Sequence, residues 1–108
     1  MSLKHGILGL LNNYEMSGYD LMKSFDSSLS YFWHVRTSQI YLELGKMAKD
    51  GLITSKTLMQ DSRPNKKIFT ITDDGKKELK NWVLNFDMKK AFAIKNEFLM
   101  LNFFLGEF

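Results

Sequence analysis

Two short strand-like runs, residues 52–59 and 66–72, follow three segments in which apolar residues recur at helical spacing. A polar turn with the chain's single proline, Pro64, separates the two runs, as in a β-hairpin. A chain of 108 residues has room for one domain with one modest core. The order of elements therefore predicts a single small domain, mainly α with a small β-hairpin (α+β).

Each helical segment has an apolar stripe and a sequence signal for one of its ends. The second begins at Ser17-Gly-Tyr-Asp20, which has the pattern of a capping box. The third is predicted to start with Thr37 or Ser38 as its N-cap. It is predicted to stop at Asp50-Gly51, because glycine tolerates the left-handed conformation of a helix end. The predicted buried stripe of this helix is Ile40, Leu44, Met47 and Ala48.

After the hairpin, Thr72 is the predicted N-cap of a fourth helix, which Asp87 is predicted to interrupt. A last helix is expected from about Lys90 to the C-terminus. We therefore expect one unit over residues 1–86 and a C-terminal helix within residues 87–108. The predicted apolar stripe of the fourth helix is Leu79, Trp82, Val83 and Phe86.

Charge is concentrated in one part of the chain. The net charge is +3, and residues 54–67 alone contain four basic side chains against one acidic one. This segment contains the turn between the two predicted strands. A cluster of like charges often serves only as a solvated face. Because the cluster lies on the predicted hairpin, the second interpretation is that it forms a basic surface that contacts a partner.

Three helices followed by a hairpin is the arrangement of the winged helix-turn-helix fold. In that fold the third helix enters a DNA major groove, and strands or loops beside it contact the backbone. The basic segment coincides with the predicted wing, so residues 1–86 are interpreted as a DNA-binding domain for double-stranded DNA. The alternative is a winged-helix protein-interaction module without specific DNA binding. Lys46 and Lys49 on the third helix, together with the basic wing, argue against it.

The candidate DNA contacts follow from side-chain chemistry. Gln pairs with adenine, Ser and Thr bond base edges or phosphates, and Lys and Arg neutralise phosphates. A simple capping role for Thr37 or Ser38, and a core role for Tyr41, are the alternatives. The candidate residues are Thr37, Ser38, Gln39, Tyr41, Lys46, Arg63, Lys66 and Lys67. Lys4 and His5 are weaker candidates for a backbone contact.

The C-terminal segment is apolar nearly all round a helix, since residues 98–105 include seven apolar residues out of eight. A monomer of this size leaves much of that surface in water, whereas pairing of two copies around a two-fold axis covers it. Binding to a membrane surface is the rival, but the helix lacks the required Lys/Arg-rich face. The candidate residues of a homodimer interface are Phe92, Phe98, Leu99, Leu101 and Leu105.

Trp82 and Phe86 are candidates for an apolar effector pocket near that helix, together with Trp33 and Phe92. The alternative is that most of these side chains belong to the core. An enzyme is not indicated. The chain has no cysteine and only two histidines, far apart in sequence, so no catalytic site, metal or cofactor is predicted. No apolar run is long enough to span a bilayer and no signal peptide is evident, so a cytoplasmic protein is expected.

A set of ordered motifs over about residues 6–82 resembles the PadR family of bacterial transcriptional regulators. The motifs are Ile7-Leu8-Gly9-Leu10-Leu11, Ser17-Gly18-Tyr19-Asp20-Leu21, Phe32-Trp33, Ser38-Gln39-Ile40-Tyr41, Leu44, Asp50-Gly51-Leu52-Ile53 and Arg63-Pro64-Asn65-Lys66-Lys67, followed by Phe69-x-Ile71-Thr72-x-x-Gly75-x-x-x-Leu79.

This resemblance implies a homodimeric regulator of transcription that binds a pseudo-palindromic operator. Such a regulator is most often a repressor, which a small aromatic or apolar inducer releases from DNA. It also implies that the last helix packs against its counterpart in a second subunit. Leu42 stands where the family frequently has proline, and Val35 where many members have proline or a small residue, which leaves the preferred DNA sequence open. Many relatives have a longer C-terminal helical domain, so we expect that the chain's end at Phe108 cuts that domain short.

Overall fold

The computed structural model describes residues 3–28 and 35–107, and Trp33 lies outside this part. The described residues form five helices and three strands, in the predicted order except for one additional strand. The helices are α1 (Leu3–Leu11), α2 (Gly18–Ser28), α3 (Thr37–Lys49), α4 (Asp73–Leu84) and α5 (Met88–Leu105). The strands are β1 (Met16–Ser17), β2 (Ile53–Leu58) and β3 (Lys66–Ile71).

The additional strand, β1, makes the hairpin into a three-stranded antiparallel sheet with the order β1-β3-β2. Met16 pairs with Phe69, which pairs on its other side with Ser55. Two residues are too few to show alternation of apolar and polar side chains, so the sequence analysis missed this strand. β1 attaches the start of α2 to the wing strands and so fixes where α2 begins relative to the wing.

The core lies where α1, α2 and α3 meet the inner face of the sheet. The predicted stripe of α3 is confirmed for three of its four members, but Ala48 is exposed on the side that faces the hairpin. Val83 on α4 is also exposed, because α4 covers α1 with one side only. The buried hydrophobic side chains are Ile7, Leu8, Leu11, Leu21, Phe25, Ile40, Leu44, Met47, Ile53 and Phe69.

Most of the predicted helix ends are confirmed by their hydrogen bonds. Ser17 Oγ accepts from the backbone N–H of Asp20 at 3.0 Å. Thr72 Oγ1 accepts from Gly75 N–H at 3.0 Å, and Asp87 Oδ1 accepts from Lys90 N–H at 3.2 Å. These caps satisfy backbone donors that the first turn of a helix leaves without partners.

The predicted N-cap of α3 is wrong, because the N-cap is Arg36. The Thr37 hydroxyl donates instead to Met22 Sδ at 2.8 Å, which ties the start of α3 to α2. Gln39 Oε1 accepts from the backbone N–H of Arg36 at 3.0 Å. At the other end of α3, Gly51 has a φ of 78° and turns the chain toward β2, as predicted.

Helix α4 is fixed to α1 by a polar and aromatic cluster. His5 Nε2 donates to Glu78 Oε1 at 3.1 Å, and Lys4 Nζ lies 3.2 Å from the same oxygen. These two partners hold the pKa of Glu78 below its usual range, with the hydrogen bond from His5 as the largest cause. The His5 ring is buried and stacks on Trp82, with ring centroids 4.8 Å apart.

Helix α5 extends away from the winged-helix body, which we define as the described part of residues 3–84. It begins at Met88, two residues before the predicted start, and none of its residues is buried. The molecule is consequently elongated, with a longest dimension of 61 Å. Within residues 3–28 and 35–107, no helix is long and apolar enough to cross a membrane.

Candidate nucleic-acid interface

A cavity of about 530 Å³ lies between α3, the first turn of α2 and the β2–β3 hairpin. Aromatic side chains line the helical side of the cavity, and cationic side chains line the hairpin side. Four of the eight predicted DNA-contact residues line it together, namely Tyr41, Arg63, Lys66 and Lys67. The sequence placed these residues on two separate elements, and the fold brings them around one space.

The hairpin presents its cations to solvent. Arg63 lies in the turn, and Lys66 and Lys67 open β3 opposite Leu58 and Thr57. All three cations are exposed, and none has an ion pair within the described part of the chain. Cations without protein partners that are already at the surface bind phosphate with little desolvation cost.

The fourth cation of the basic segment, Lys56, has a different environment. Its Nζ lies 3.6 Å from Glu15 Oε2, and the same carboxylate oxygen accepts from Thr70 Oγ1 at 3.1 Å. Glu15 directly precedes β1, so this contact links all three strands. Lys56 therefore has a role in the sheet, and the unpaired positive charge of the wing resides on the three cations around the cavity.

The N-terminal residues of α3 are exposed, as the DNA-contact prediction requires, but two of them already have protein partners. The Thr37 hydroxyl bonds Met22, and the Gln39 carbonyl oxygen bonds the backbone of Arg36. A bidentate contact of Gln39 with adenine therefore requires that this local bond opens, whereas its amide N–H groups face no such constraint. Ser38, between them, is exposed.

Tyr41 is not a core residue, since 48% of it is exposed. One edge of its ring rests on Gly18 at the start of α2, and the residue lines the cavity. Lys46 is also exposed but does not line the cavity. At about 100° per residue it lies roughly 140° around α3 from Tyr41. Lys46 and Tyr41 therefore project from different sides of α3, and a DNA contact by Lys46 stays a prediction.

Three exposed residues near the candidate DNA contacts were not nominated from the sequence. Tyr19 is 59% exposed, lines the cavity and has Lys23 Nζ 5.3 Å from its ring centroid. Leu42 is 71% exposed on α3, and Gly45, one turn later, has open space where a Cβ would be. The sequence shows that Tyr19 lies on the second helix and that Leu42 and Gly45 lie on the third. Only the fold shows which side of each helix is exposed to solvent.

Lys4 and His5 are not part of this interface, because both contact Glu78 in the cluster between α1 and α4. Trp82 and Phe86 do not line the cavity either. One face of Trp82 is covered by His5, and Phe86 meets the Trp82 ring edge-on with centroids 5.7 Å apart. Their role in an effector pocket remains a prediction.

The candidate dimerisation residues Phe92, Phe98, Leu99, Leu101 and Leu105 are all more than half exposed. Ile94, which is 69% exposed, joins three of them in a stripe spaced by four, three and four residues: Ile94, Phe98, Leu101 and Leu105. This spacing is typical of a seam between two helices. Ile94 was not predicted, because it stands alone in the sequence, before the dense apolar run of residues 98–105.

Known proteins resemble the chain in sequence and fold. The profile of the Transcriptional regulator PadR-like family matches residues 7–81. The negative transcriptional regulator PadR of Bacillus subtilis is 41% identical over 104 residues, which are 96% of this chain and 57% of that protein. The chain thus spans little more than half the length of this relative.

Two crystal structures of Bacillus subtilis PadR are also similar. The complex with operator DNA has a TM-score of 0.74 at 40% identity, over 87% of this chain and 59% of that chain. The complex with p-coumaric acid has a TM-score of 0.68 at 39% identity, over 87% of this chain and 57% of that chain.

Proposed function

The chain belongs to the PadR-like family of transcriptional regulators, and we propose that it represses transcription by binding a pseudo-palindromic operator as a homodimer. The observation that carries the proposal is the grouping of Tyr41, Arg63, Lys66 and Lys67 around one open cavity. The Bacillus subtilis relative, whose structure was determined with operator DNA, supports it. The proposed activity is binding, not catalysis. The proposed location is the cytoplasm, which contains the bacterial DNA.

The fold provides the two kinds of contact that recognition of a duplex needs. The N-terminus of α3, with Ser38 exposed, enters the major groove and reads base edges. Lys66, Lys67 and Arg63 on the hairpin neutralise phosphates of the adjacent backbone. Contacts to phosphate set the orientation of α3, and contacts to bases select the sequence.

Helix α5 provides the surface through which a second copy of the chain binds. The stripe of Ile94, Phe98, Leu101 and Leu105 is uncovered in the single chain, and an antiparallel or crossed pairing of two α5 helices buries it. A two-fold axis through that pair places two wings and two α3 helices on one side of the dimer. The operator then has two half-sites related by the same axis.

We also propose that a small aromatic or apolar inducer releases the protein from DNA. The p-coumaric acid complex of the Bacillus subtilis relative supports a ligand of this class. Trp82 and Phe86, close in sequence to α5, are the candidate pocket residues on this chain.

The salt dependence of DNA binding tests this proposal. Lys66→Ala/Lys67→Ala is compared with Lys76→Ala/Lys77→Ala, a second pair of adjacent exposed lysines that lies on α4 and does not line the cavity. The probe is the duplex upstream of the gene that encodes the chain. The slope of log K against log salt is expected to fall in magnitude by about 3 to 4 for the wing pair in a dimer, since each phosphate contact contributes about 0.9.

The control pair is expected to keep the wild-type slope. Equal slopes for both pairs and the wild type would place the phosphate contacts elsewhere. A folded wild-type dimer that does not bind DNA at either low or high salt would contradict the proposal and favour a protein-interaction module.

A further inference from the structure

We propose that Gly18 is a positioning residue for DNA binding, because the absence of a side chain at Gly18 gives the Tyr41 ring its place beside the cavity. A Cβ at Gly18 would lie 2.7 Å from Tyr41 Cε1 and 2.9 Å from its Oη. Carbon atoms do not approach so closely, so the ring occupies the space that any other residue would fill. This inference rests on the proposed DNA-binding function.

The backbone does not explain the glycine. Gly51 is the described glycine with positive φ, so Gly18 has a conformation that alanine also adopts. Gly18 is buried and is the first residue of α2, directly after the capping residue Ser17. By contrast, Gly9 and Gly45 have no atom within 4 Å of a built Cβ. The contact with Tyr41 therefore distinguishes Gly18 from these two glycines, because a side chain at position 18 would displace the Tyr41 ring.

The contact has a consequence for binding because of where Tyr41 lies. Its ring edge is held against α2, while the residue lines the same cavity as Lys66 and Lys67. A phosphate of the DNA backbone in that cavity would lie between Tyr41 and the wing cations. A side chain that is already fixed in place loses less conformational freedom on binding. Gly18 thus acts on DNA through Tyr41 and does not contact DNA itself.

A double-mutant cycle tests the proposal with Gly18→Ala, Tyr41→Ala and the double variant, on the duplex upstream of the gene. The atoms that an alanine would strike belong to the far end of a side chain, so the ring moves and the fold remains. Gly18→Ala is expected to weaken DNA binding about tenfold for each half-site, the scale of one hydrogen bond to a charged group, and so about a hundredfold for a dimer. The thermal unfolding midpoint is expected to change little. In the Tyr41→Ala background the same substitution is expected to have no further effect on affinity.

Gly9→Ala is the matched control, since it adds the same methyl group to a helix where nothing lies within 4 Å. Its DNA affinity is expected to equal that of the wild type. NMR gives a readout without DNA, because the Tyr41 ring current shifts the Gly18 α-proton resonances and Tyr41→Ala removes that shift.

Two results overturn the inference and leave the proposed function in place. One is Gly18→Ala with wild-type affinity, and the other is an equal loss of affinity on adding Gly18→Ala to wild type and to Tyr41→Ala. A folded wild-type protein that binds no DNA overturns the proposed function itself and the inference with it.

Discussion

The winged-helix body and helix α5 are both rich in apolar side chains, but they place these side chains in opposite environments. Each of the first three helices of the body turns an apolar stripe inward, and ten apolar residues of the body are buried in a shared core. Helix α5 distributes them over several faces, and none of its residues is buried. A stripe on one side is covered by neighbours in the same chain, whereas an all-round apolar helix needs a surface from outside.

The difference agrees with the proposed division between a DNA-binding body and a dimerisation helix. The body folds around its own core and presents polar and cationic groups on the side of the α3–hairpin cavity. Helix α5 contributes no buried residue to that core, so its apolar surface is available for the proposed dimer. The following predictions test this division, starting with the largest expected effect.

The first prediction concerns the α5 stripe. Phe98→Asp/Leu101→Asp places two charges per chain in the proposed seam, which is expected to weaken dimerisation roughly a thousandfold. The body is expected to keep its helical circular-dichroism signal below its own unfolding midpoint, since no core residue changes. Sedimentation velocity measures the association, and Asn96→Asp on another face of α5 is the control. A double variant that remains as dimeric as the control would show that the seam is elsewhere.

The second prediction concerns a glycine inside the body. A Cβ at Gly75 would strike the backbone carbonyl oxygen of Leu52 and lie 2.7 Å from Ile71 Cγ1. Unlike the ring beside Gly18, a backbone carbonyl between α3 and β2 has little room to move. Gly75→Ala is expected to lower the free energy of unfolding by about 3 kcal/mol, measured by denaturant titration at fixed protein concentration.

Gly9→Ala is again the control and is expected to be neutral or slightly stabilising. If Gly75→Ala unfolds at the same denaturant concentration as the wild type, α4 does not pack against Leu52, just before β2, as tightly as described.

The third prediction concerns exposed apolar residues on the body and distinguishes one that contacts DNA from one that does not. Leu42 and Leu84 are 71% and 70% exposed, on α3 and α4 respectively. In the proposed docking of α3 in the major groove, Leu42 would contact a thymine methyl group, so Leu42→Ala is expected to cost about 1 kcal/mol of binding at a preferred site. Leu84→Ala is expected to leave DNA binding unchanged. Fluorescence anisotropy measures both affinities, and equal values for the two variants would remove Leu42 from the interface.

The fourth prediction, with the smallest effect, concerns the link between α1 and α4. The pKa of Glu78 is lowered in the folded state by His5 and Lys4, so its carboxylate stabilises the fold above its ordinary pKa. This stabilisation is lost as the pH falls through the lowered folded-state pKa. Glu78→Gln is expected to reduce the free energy of unfolding by less than about 1 kcal/mol near neutral pH, as for other partly exposed ion pairs.

The difference between Glu78→Gln and wild type is expected to shrink in acid, and a pH series of chemical denaturation measures it. A difference that stays constant down to the acid range would mean that the Glu78 charge contributes nothing to the link. Neither DNA binding nor dimerisation is expected to change at neutral pH, since the cluster lies apart from both surfaces.

The sequence predicted what depends on neighbours along the chain. The cap at Thr72, the interruption between α4 and α5 at Asp87 and the turn at Gly51 depend on local sequence, and the structure confirms them. The cap of α3 was wrong because Thr37 bonds Met22, which is 15 residues away in the chain. His5 was placed on the surface because Glu78, its partner, is 73 residues further on.

The same distinction applies to the candidate site. The residue types on the hairpin were sufficient to nominate Arg63 and Lys66, whereas Tyr41 was nominated with the help of the family resemblance. The cavity around them is completed by the start of α2, which β1, a strand of two residues, attaches to β3. The contact between Gly18 and Tyr41 follows from that attachment, so no periodicity in the sequence reveals it.

The most direct test of the central claim, that two chains joined through α5 read DNA with two wings, is selection from a random pool of DNA duplexes. We expect enrichment of an inverted repeat whose half-site centres are about 10 base pairs apart, or a multiple of that helical turn. Phe98→Asp/Leu101→Asp is expected to abolish the enrichment of the repeat. A single unrepeated site, or no enriched sequence from a folded dimer, would show that two chains joined through α5 do not read DNA in this way.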